Sequence, residues 1–361
     1  MGVLSCLALA AFGFGATLGD GSGEARQKSS VASTLSPKLL AGQRIVVGVN
    51  GTLVGKGLRS AIREGRVAGV VLFAANFPTR AAGAHLIAQL QAIPRPPKLR
   101  DPLLIMVDQE GGQVKRLSGA PTASATTMGA RGAVFSREQG KRTAANLRDV
   151  GVNVALAPVL DVARPGGVIA ETERSFGSTA ARVTATAIPF ARAVQAGGIA
   201  ATGKHFPGFG DARENTDFSV ERIALSKQEL RAIDEQPYEA FIAAGGKLVM
   251  LSTAVYPAFS DRPAAFTRAI ATGELRNRLG FEGVTVTDAL ETPAVEHFGS
   301  IPKAAIAGAR AGADLLLYAQ LGPAQAAWKA LVKKLRARAL DRAEFEQSVE
   351  RVLDLRAELP R

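Results

Sequence analysis

Charged side chains stand at or directly after several short apolar runs in this chain of 361 residues. Asp108 and Asp288 each follow such a run, and Lys204-His205 comes at the end of another. Carboxylates can act as nucleophiles or as proton donors and acceptors, and cations beside them can hold hydroxyl groups. For Glu110 and Asp161 a structural interpretation stays open, in which the carboxylate caps a helix or ties a loop down.

Cysteine and histidine are scarce, with one Cys and three His in the chain. This scarcity excludes a disulfide framework, a cysteine-rich zinc site and a cluster of several histidines around a metal. We therefore expect chemistry that relies on carboxylates, with no metal and no organic cofactor.

The chain is basic, with 44 Lys and Arg against 32 Asp and Glu and a formal net charge of +12. Such a charge can attract nucleic acid, an anionic membrane or an acidic polymer. The cations are scattered from Arg26 to Arg361, however, and only 16 Phe, 3 Tyr and 1 Trp are available to stack on bases. Because both a basic patch and a recognised motif are missing, we expect no nucleic-acid partner.

Eight short apolar runs divide the sequence, and longer amphipathic segments separate them. The runs are 44–49, 69–73, 103–107, 152–157, 199–202, 247–251, 284–287 and 313–317. Helical segments are predicted at 81–92, 137–150, 180–196, 227–244 and 301–311. Eight alternating units predict an α/β fold, a single-domain (β/α)8 barrel of the TIM type, whose active site lies at the carboxyl ends of the strands. A doubly wound open sheet is disfavoured, because the glycine pair resembling its fingerprint, Gly13 and Gly15, follows no strand.

The N-terminal region differs in composition from the rest of the chain. Residues 1–19 carry no charge and are mostly apolar, and residues 20–38 are rich in polar residues. We interpret 1–19 as an export or anchor segment, 20–38 as a flexible tether and 39–361 as the barrel domain. The apolar segment lacks the positive start of a signal peptide, so the true start could lie upstream. Lipidation at Cys6 is a further hypothesis. We expect a secreted or cell-envelope location, with membrane or cell-wall association through the N-terminus.

Five short motifs in the barrel region carry a family resemblance. They are residues 107–116 (VDQEGGQVKR), 157–162 (APVLDV), 173–177 (ERSFG), 204–208 (KHFPG) and 287–290 (TDAL). In this order they resemble glycoside hydrolase family 3, and specifically its single-domain β-N-acetylhexosaminidase branch. The resemblance extends from about Leu39 to the C-terminus.

The resemblance implies a retaining mechanism in which the carboxylate of Asp288 attacks the anomeric carbon and forms a glycosyl-enzyme intermediate. It also implies a set of residues that hold the hydroxyl groups of the terminal sugar. Those residues are Asp108, Arg116, Arg174, Lys204 and His205.

The acid/base position departs from the family pattern. The branch usually carries a histidine there, oriented by an aspartate two residues earlier, whereas this chain has Asp217 and Asn215. Phe209 and Thr253 stand where further histidines are expected. The loss of histidine at three positions suggests a coordinated change.

Three interpretations of the acid/base position stay open. Asp217 could be the acid, with its pKa raised by Phe209 and Phe218 if both pack beside it. Glu214 on the same loop could do this work instead. Acid catalysis could also be absent, which would leave a sugar- or muropeptide-binding pseudoenzyme at the envelope.

We therefore predict a glycosidase that releases a terminal β-linked sugar with retention of configuration. N-acetylglucosamine is the favoured sugar, possible sources are cell-wall fragments, and a β-glucosidase type is the other option within the family. The substrate is a carbohydrate, and the sequence leaves the oligomeric state open.

Overall fold

The predicted apolar runs form the strands of a parallel barrel. The computed structural model describes Gly2 and residues 30–360. The strands are β1 (Ile45–Gly48), β2 (Gly69–Leu72), β3 (Leu104–Val107), β4 (Gln109–Gly111), β5 (Val114–Lys115), β6 (Val154–Ala155), β7 (Ala200–Phe206), β8 (Leu248–Leu251), β9 (Val284–Thr287) and β10 (Leu316–Tyr318).

Eight of these strands form one sheet, in the order β10-β1-β2-β3-β6-β7-β8-β9, and β4 and β5 form a separate antiparallel pair. All neighbours within the large sheet run parallel. The ring closes between β9 and β10, where Val286 bridges to Leu315 and the Leu315 N–H donates to the Thr285 carbonyl at 2.9 Å. The (β/α)8 barrel predicted from the sequence is thereby confirmed.

Helices surround the barrel and connect its strands. They are α1 (Pro37–Gly42), α2 (Lys56–Arg63), α3 (Arg80–Gln91), α4 (Ala125–Arg131), α5 (Ala133–Arg148), α6 (Val168–Glu171), α7 (Ala180–Ala196), α8 (Lys227–Glu229), α9 (Gln236–Ala243), α10 (Pro293–Glu296), α11 (Ile301–Ala311), α12 (Leu321–Arg336) and α13 (Arg342–Glu358). Short 3₁₀ helices lie at Ala32–Thr34, Ala74–Asn76, Pro97–Leu99 and Ala264–Phe266, and π-helical segments at Leu230–Asp234 and Ala269–Arg278. The helix predicted over 227–244 is thus divided by a π-helical segment. No helix in the described part of the chain is long and apolar enough to span a membrane.

Side chains that alternate between the two faces of each strand form two apolar layers. On β1, Val46 belongs to the cluster inside the barrel, whereas Ile45 and Val47 belong to the larger cluster shared with the helices. Successive strand side chains point to opposite faces, so a strand buried on both faces has to be apolar throughout. The runs used to predict the strands are continuous for this reason.

Residues 30–38 are part of the folded domain. The Ser30 hydroxyl donates to Glu350 on α13 at 2.7 Å, and the Ala32 N–H donates to the same carboxylate at 3.0 Å. Ala32 and Leu35 are buried. The tether predicted over 20–38 is therefore wrong for its last part, because apolar side chains in this stretch pack on α13. The rest of that tether, Cys6 and the apolar segment apart from Gly2 lie outside the described residues.

Candidate active site

The predicted site residues line one cavity of about 450 Å³ at the carboxyl ends of the strands. They are Asp108, Arg116, Arg174, Lys204, His205, Asp217 and Asp288. A cavity of this size fits a small-molecule ligand. The alternative acid Glu214 is absent from its lining.

Asp108 follows β3 and lies beside two of the predicted cations. The Lys204 ammonium donates to Asp108 Oδ1 at 2.7 Å, and Arg116 lies 3.5 Å from Oδ2. Burial by itself would raise the pKa of Asp108, but the charges of Lys204 and Arg116 outweigh it and hold that pKa below its usual value. Asp108 is therefore ionised, and it can accept hydrogen bonds from sugar hydroxyls.

Glu110 lies behind the cavity wall and positions two of the cations. Its carboxylate accepts both Nε and Nη2 of Arg174 at 2.8 Å, and the Lys204 ammonium lies 2.7 Å away. Burial opposes ionisation of Glu110, but the two cations hold its pKa well below its usual value. The structural interpretation of Glu110 is correct, because it ties the loop of Arg174 to the hairpin of β4 and β5.

Asp161 is fully buried and orients His205. It accepts the backbone N–H of His205 at 3.0 Å and that of Phe209 at 2.7 Å, and His205 Nδ1 lies 2.8 Å from its Oδ2. A carboxylate at Nδ1 places the proton on that nitrogen and leaves Nε2 for the other side of the ring. Asp161 therefore ties the loop after β7 down and sets the tautomer of a cavity residue.

Asp217 is held by a local turn. The Asn215 side-chain amide donates to Asp217 Oδ2 at 3.0 Å, and the Asp217 N–H donates to Asn215 Oδ1 at 3.0 Å. Asp217 is exposed as a whole, but desolvation of its carboxyl at the cavity raises its pKa, and the negative charge of Asp288 raises that pKa further, against the hydrogen bond from Asn215. Asp217 thus has the electrostatic surroundings of a proton donor.

The two aromatic residues predicted to desolvate Asp217 behave differently. Phe209 is buried, lines the cavity and has its ring centroid 5.6 Å from that of His205. Phe218 is 76% exposed, so the condition that it packs beside the acid is not met. The turn at Asn215, whose carbonyl accepts the Phe218 N–H, leaves this ring in solvent.

Asp288 follows β9 at the mouth of the barrel. Its N–H donates to the Leu251 carbonyl at 3.1 Å, and its Oδ1 accepts the N–H of Ala289 at 2.8 Å. The backbone bond fixes the start of the loop to β8, and the half-buried carboxylate lines the cavity. This placement suits a nucleophile that meets a sugar from the barrel side.

The cavity contains one further titratable residue, Glu291, which its sequence motifs did not indicate. Burial raises the pKa of Glu291 to about 7, against hydrogen bonds from the backbone of Gln320 and Ala319. Its position three residues after Asp288, in the same loop, was the signal that could have identified it. Among the residues described, no group of three His, Cys, Asp or Glu side chains is arranged to hold a metal ion.

The fold and the site together define a (β/α)8 enzyme whose cavity combines carboxylates with cationic side chains. Residues 42–355 match the N-terminal domain of glycosyl hydrolase family 3. The chain belongs to this family, and it is a glycoside hydrolase that acts on carbohydrate.

Two similar sequences illustrate the relationship. The chain is 36% identical over 329 residues to a secreted glycosyl hydrolase of Arthroderma benhamiae, covering 88% of this chain and 93% of the relative. It is 34% identical over 284 residues to a β-hexosaminidase of Xylella fastidiosa, covering 76% of this chain and 82% of that protein.

Two solved structures are similar over most of the chain. A family 3 β-N-acetylglucosaminidase from Paenibacillus sp. FPU-7 has a TM-score of 0.84 and 33% identity, covering 90% of this chain and 62% of that one. A β-N-acetylhexosaminidase from Beutenbergia cavernae has a TM-score of 0.82 and 32% identity, covering 90% of this chain and 99% of that one. This chain therefore spans less than two thirds of the Paenibacillus protein and nearly all of the Beutenbergia protein.

Proposed function

We propose that the protein is a retaining β-N-acetylhexosaminidase that removes terminal β-linked N-acetylglucosamine. The observation that carries the proposal is the convergence of Asp288, Asp217 and the sugar-holding cations in one cavity. The similarity to β-hexosaminidases and β-N-acetylglucosaminidases supports the choice of sugar. Nothing in these similarities supports a pseudoenzyme.

In the first step, the carboxylate of Asp288 attacks the anomeric carbon and the bond to the leaving oxygen breaks. Asp217 gives its proton to that oxygen, so the leaving group departs as an alcohol. In the second step, Asp217 takes a proton from water, and the water oxygen attacks the anomeric carbon and releases Asp288. Two displacements at one carbon leave its configuration unchanged.

The charge coupling between the two carboxyls suits this exchange of roles. While Asp288 is ionised, its charge raises the pKa of Asp217 and favours the proton that the first step needs. In the glycosyl-enzyme, Asp288 is an ester and has lost that charge. The pKa of Asp217 then falls, and Asp217 becomes the carboxylate base of the second step.

A second group of cavity residues holds the sugar. Asp108 and the cations around it, Lys204 and Arg116, offer charge-assisted hydrogen bonds to neighbouring hydroxyl groups. Arg174, fixed by Glu110, adds a further donor. A sugar held at several hydroxyls keeps its anomeric carbon near attack distance from Asp288.

The proposal extends to where the enzyme works. The relative in Arthroderma benhamiae is described as secreted, and residues 1–19 have the composition of an export or anchor segment. A net charge of +12 would favour anionic cell-wall fragments as substrates. Cell fractionation with mass determination of the mature N-terminus tests the location, and a purely cytosolic full-length chain would contradict it.

The experiment that tests the activity compares two disaccharides that lack an activated leaving group. Purified full-length protein is incubated with chitobiose and with cellobiose, and Asp288→Asn is the blank. Release of N-acetylglucosamine that disappears in the variant supports the proposal. Release of glucose instead would assign a β-glucosidase, and no release above the blank would favour a binding protein.

A further inference from the structure

The helical outside of the barrel carries a basic groove that is separate from the catalytic cavity. The groove has a volume of about 550 Å³ and shares no lining residue with that cavity. None of its described lining residues is Asp or Glu, and five are cations: Arg262, Arg268, Lys303, Arg310 and Lys334. These cations are far apart in the sequence, so the basic patch is assembled only by the fold.

Helix α11 forms one side of the basic groove. Lys303, Ile306, Ala307 and Arg310 line it, and their spacing places them on one face of the helix. At 1.5 Å per residue, the two cations stand about 10 Å apart along the helix axis, with the two apolar side chains between them. A helix that connects parallel strands runs back against them, so Lys303 lies toward the catalytic face and Arg310 toward the other end of the barrel.

Two of the arginines are held in place by the surrounding protein. Arg268 forms a salt bridge of 2.6 Å with Glu344, and it also donates to the Arg310 carbonyl at 3.2 Å. The Arg310 guanidinium donates to the Ala339 carbonyl at 3.1 Å. Because these contacts restrict both side chains, less conformational freedom is lost when a ligand binds them.

The other three cations have no acidic partner. Arg262, Lys303 and Lys334 form no salt bridge with any residue in the described range 30–360. Asp261, which precedes Arg262 in the chain, is paired with Arg222 instead. The basic groove therefore holds positive charge that the protein leaves unneutralised, and this charge attracts an anionic partner.

The shape of the groove and its aromatic rings disfavour a membrane and a nucleic acid. A flat membrane contacts only the rim of a concave surface, and the exposed large apolar side chains of the described chain all lie outside the groove. Its two rings are also covered. Arg262 lies over the buried Phe266, and His297 packs against the half-buried Phe298, so neither ring offers an open face for a base to stack on.

We propose that the basic groove binds an acidic polysaccharide and thereby holds the enzyme on an anionic glycan. The C–H face of a sugar ring packs on Ile306 and Ala307, and its carboxylates pair with the cations at the two ends of this apolar stretch. The choice of a glycan as the occupant rests on the proposed function, whereas the requirement for an anion follows from the charge of the groove alone.

The test measures the Kd of polygalacturonate, in which every sugar ring carries a carboxylate. The full chain with Asp288→Asn is used, so that hydrolysis cannot alter the polymer, and calorimetry is carried out at low ionic strength, where screening is weak. The groove variant adds Arg262→Gln, Lys303→Gln and Lys334→Gln, which break no salt bridge among the described residues. We expect its Kd to rise by about 10-fold or more, because three charge contacts are lost.

A matched variant separates the groove from the net charge of the molecule. Lys98→Gln, Lys141→Gln and Arg192→Gln remove three cations that lie outside the groove and form no salt bridge with any described residue. This variant has the same net charge as the groove variant, and its Kd should stay close to that of the parent. An equal loss of affinity in both variants, with unchanged Tm values, would overturn the assignment to the groove.

Two further polymers identify what the groove recognises. Methyl-esterified polygalacturonate keeps the sugar rings without their charge, and polyglutamate keeps the carboxylates without the rings. Both should bind at least about 10-fold more weakly than polygalacturonate. Equal binding of the ester would overturn the electrostatic argument, and equal binding of polyglutamate would replace the glycan by an acidic peptide. Tighter binding of duplex DNA or of phosphatidylglycerol vesicles, lost in the groove variant, would replace it by that class of partner.

The outcomes for the groove and for the proposed activity are independent. With Asp288 restored, the groove variant should hydrolyse chitobiose with unchanged kcat and KM, because the groove and the cavity share no residue. If no form of the protein cleaves chitobiose, the proposed function fails, and the polymer binding measurements still decide about the groove.

Discussion

At the scale of single residues, the pairing of charges separates structural carboxylates from reactive ones. Glu110 forms salt bridges with Arg174 and Lys204, and Asp108 forms a salt bridge with the same Lys204. Asp217 and Asp288 form no salt bridge with any described residue. A carboxylate that is paired with a cation stays ionised and keeps its lone pairs on that partner. A carboxyl without a cation can exchange protons or attack carbon. Our predictions for single residues follow from this distinction.

Replacement of the two candidate acids tests which one donates the proton. Asp217→Ala should slow substrates with poor leaving groups by about 10²- to 10⁴-fold and slow activated aryl glycosides far less. Added azide should partly restore turnover of the activated substrates, because it attacks the anomeric carbon of the glycosyl-enzyme without needing a base, forms a glycosyl azide and releases Asp288. Glu214→Ala is the matched control from the same loop, and leaving-group dependence of kcat is the measurement. If Glu214→Ala shows this pattern and Asp217→Ala does not, Asp217 is not the acid.

Asp161→Asn tests the orientation of His205. The asparagine oxygen can still accept the two backbone N–H groups that Asp161 Oδ1 now binds, but its NH2 then faces Nδ1 and donates to it, so the ring is held in the opposite tautomer. We expect kcat/KM to fall by about 10- to 100-fold, which is the cost found when the group that orients a metal-ligating histidine is replaced. Asp354→Asn, exposed on α13, is the control. An unchanged kcat/KM in a folded Asp161→Asn protein would show that the hydrogen bond to Nδ1 is dispensable.

At the scale of elements, the loop after β7 has to be held in place because it carries Asp217. Arg164 binds the buried Asp234 through two hydrogen bonds of 2.7 Å, one to each carboxylate oxygen. Gly208 lies against the Asp234 side chain, with space for no Cβ, and its carbonyl accepts the Tyr256 hydroxyl at 2.8 Å. The π-helical segment that carries Asp234 thus supports the start of the loop that carries Asp217.

Asp234→Asn tests this support. Loss of one partner of a buried, doubly hydrogen-bonded ion pair costs about 3–5 kcal/mol, whereas an exposed pair contributes about 0–1 kcal/mol. Asp261→Asn, which breaks the exposed pair with Arg222, is the matched control. Thermal unfolding should show a large loss for the first variant and almost none for the second. Equal effects of the two substitutions on Tm would rule out a supporting role for Asp234.

At the scale of the whole molecule, the N-terminal stretch closes the domain against its last helix. Ala32 and Leu35 are buried, and Glu350 on α13 accepts hydrogen bonds from Ser30 and Ala32. The domain therefore begins no later than Ser30. We therefore expect residues 30–41, which precede the family match at 42–355, to contribute to its stability.

Two truncations define this boundary. A chain that starts at Ser30 should keep its Tm, because it retains all of these contacts. A chain that starts at Pro37 loses the buried Leu35 side chain, worth about 1.5–3 kcal/mol, together with the hydrogen bonds to Glu350. For a domain of this size the Tm should fall by roughly 5–10 °C. Equal Tm values for the two truncated chains would mean that residues 30–36 add no stability and belong to the flexible tether.

The sequence by itself determined the barrel and the composition of its cavity. Apolar runs mark strands because strand periodicity is a local property, and a closed parallel barrel brings all carboxyl strand ends to one face. Asp108, Lys204 and Asp288 could therefore be placed in one cavity before any contact was known. Glu291 follows the same strand as Asp288, so its position indicates the cavity, but its burial depends on how the loop packs.

Only the tertiary structure decided which charged groups are paired and which are buried. Glu110 is neutralised by Arg174, which lies 64 residues away, and the exposure of Phe218 depends on how its loop packs. The pKa of a carboxyl depends on burial and on charges within a few ångströms, and those neighbours come from distant parts of the chain. The sequence thus identified the residue types at the site, whereas the packing of the loops assigned each of them its electrostatic surroundings.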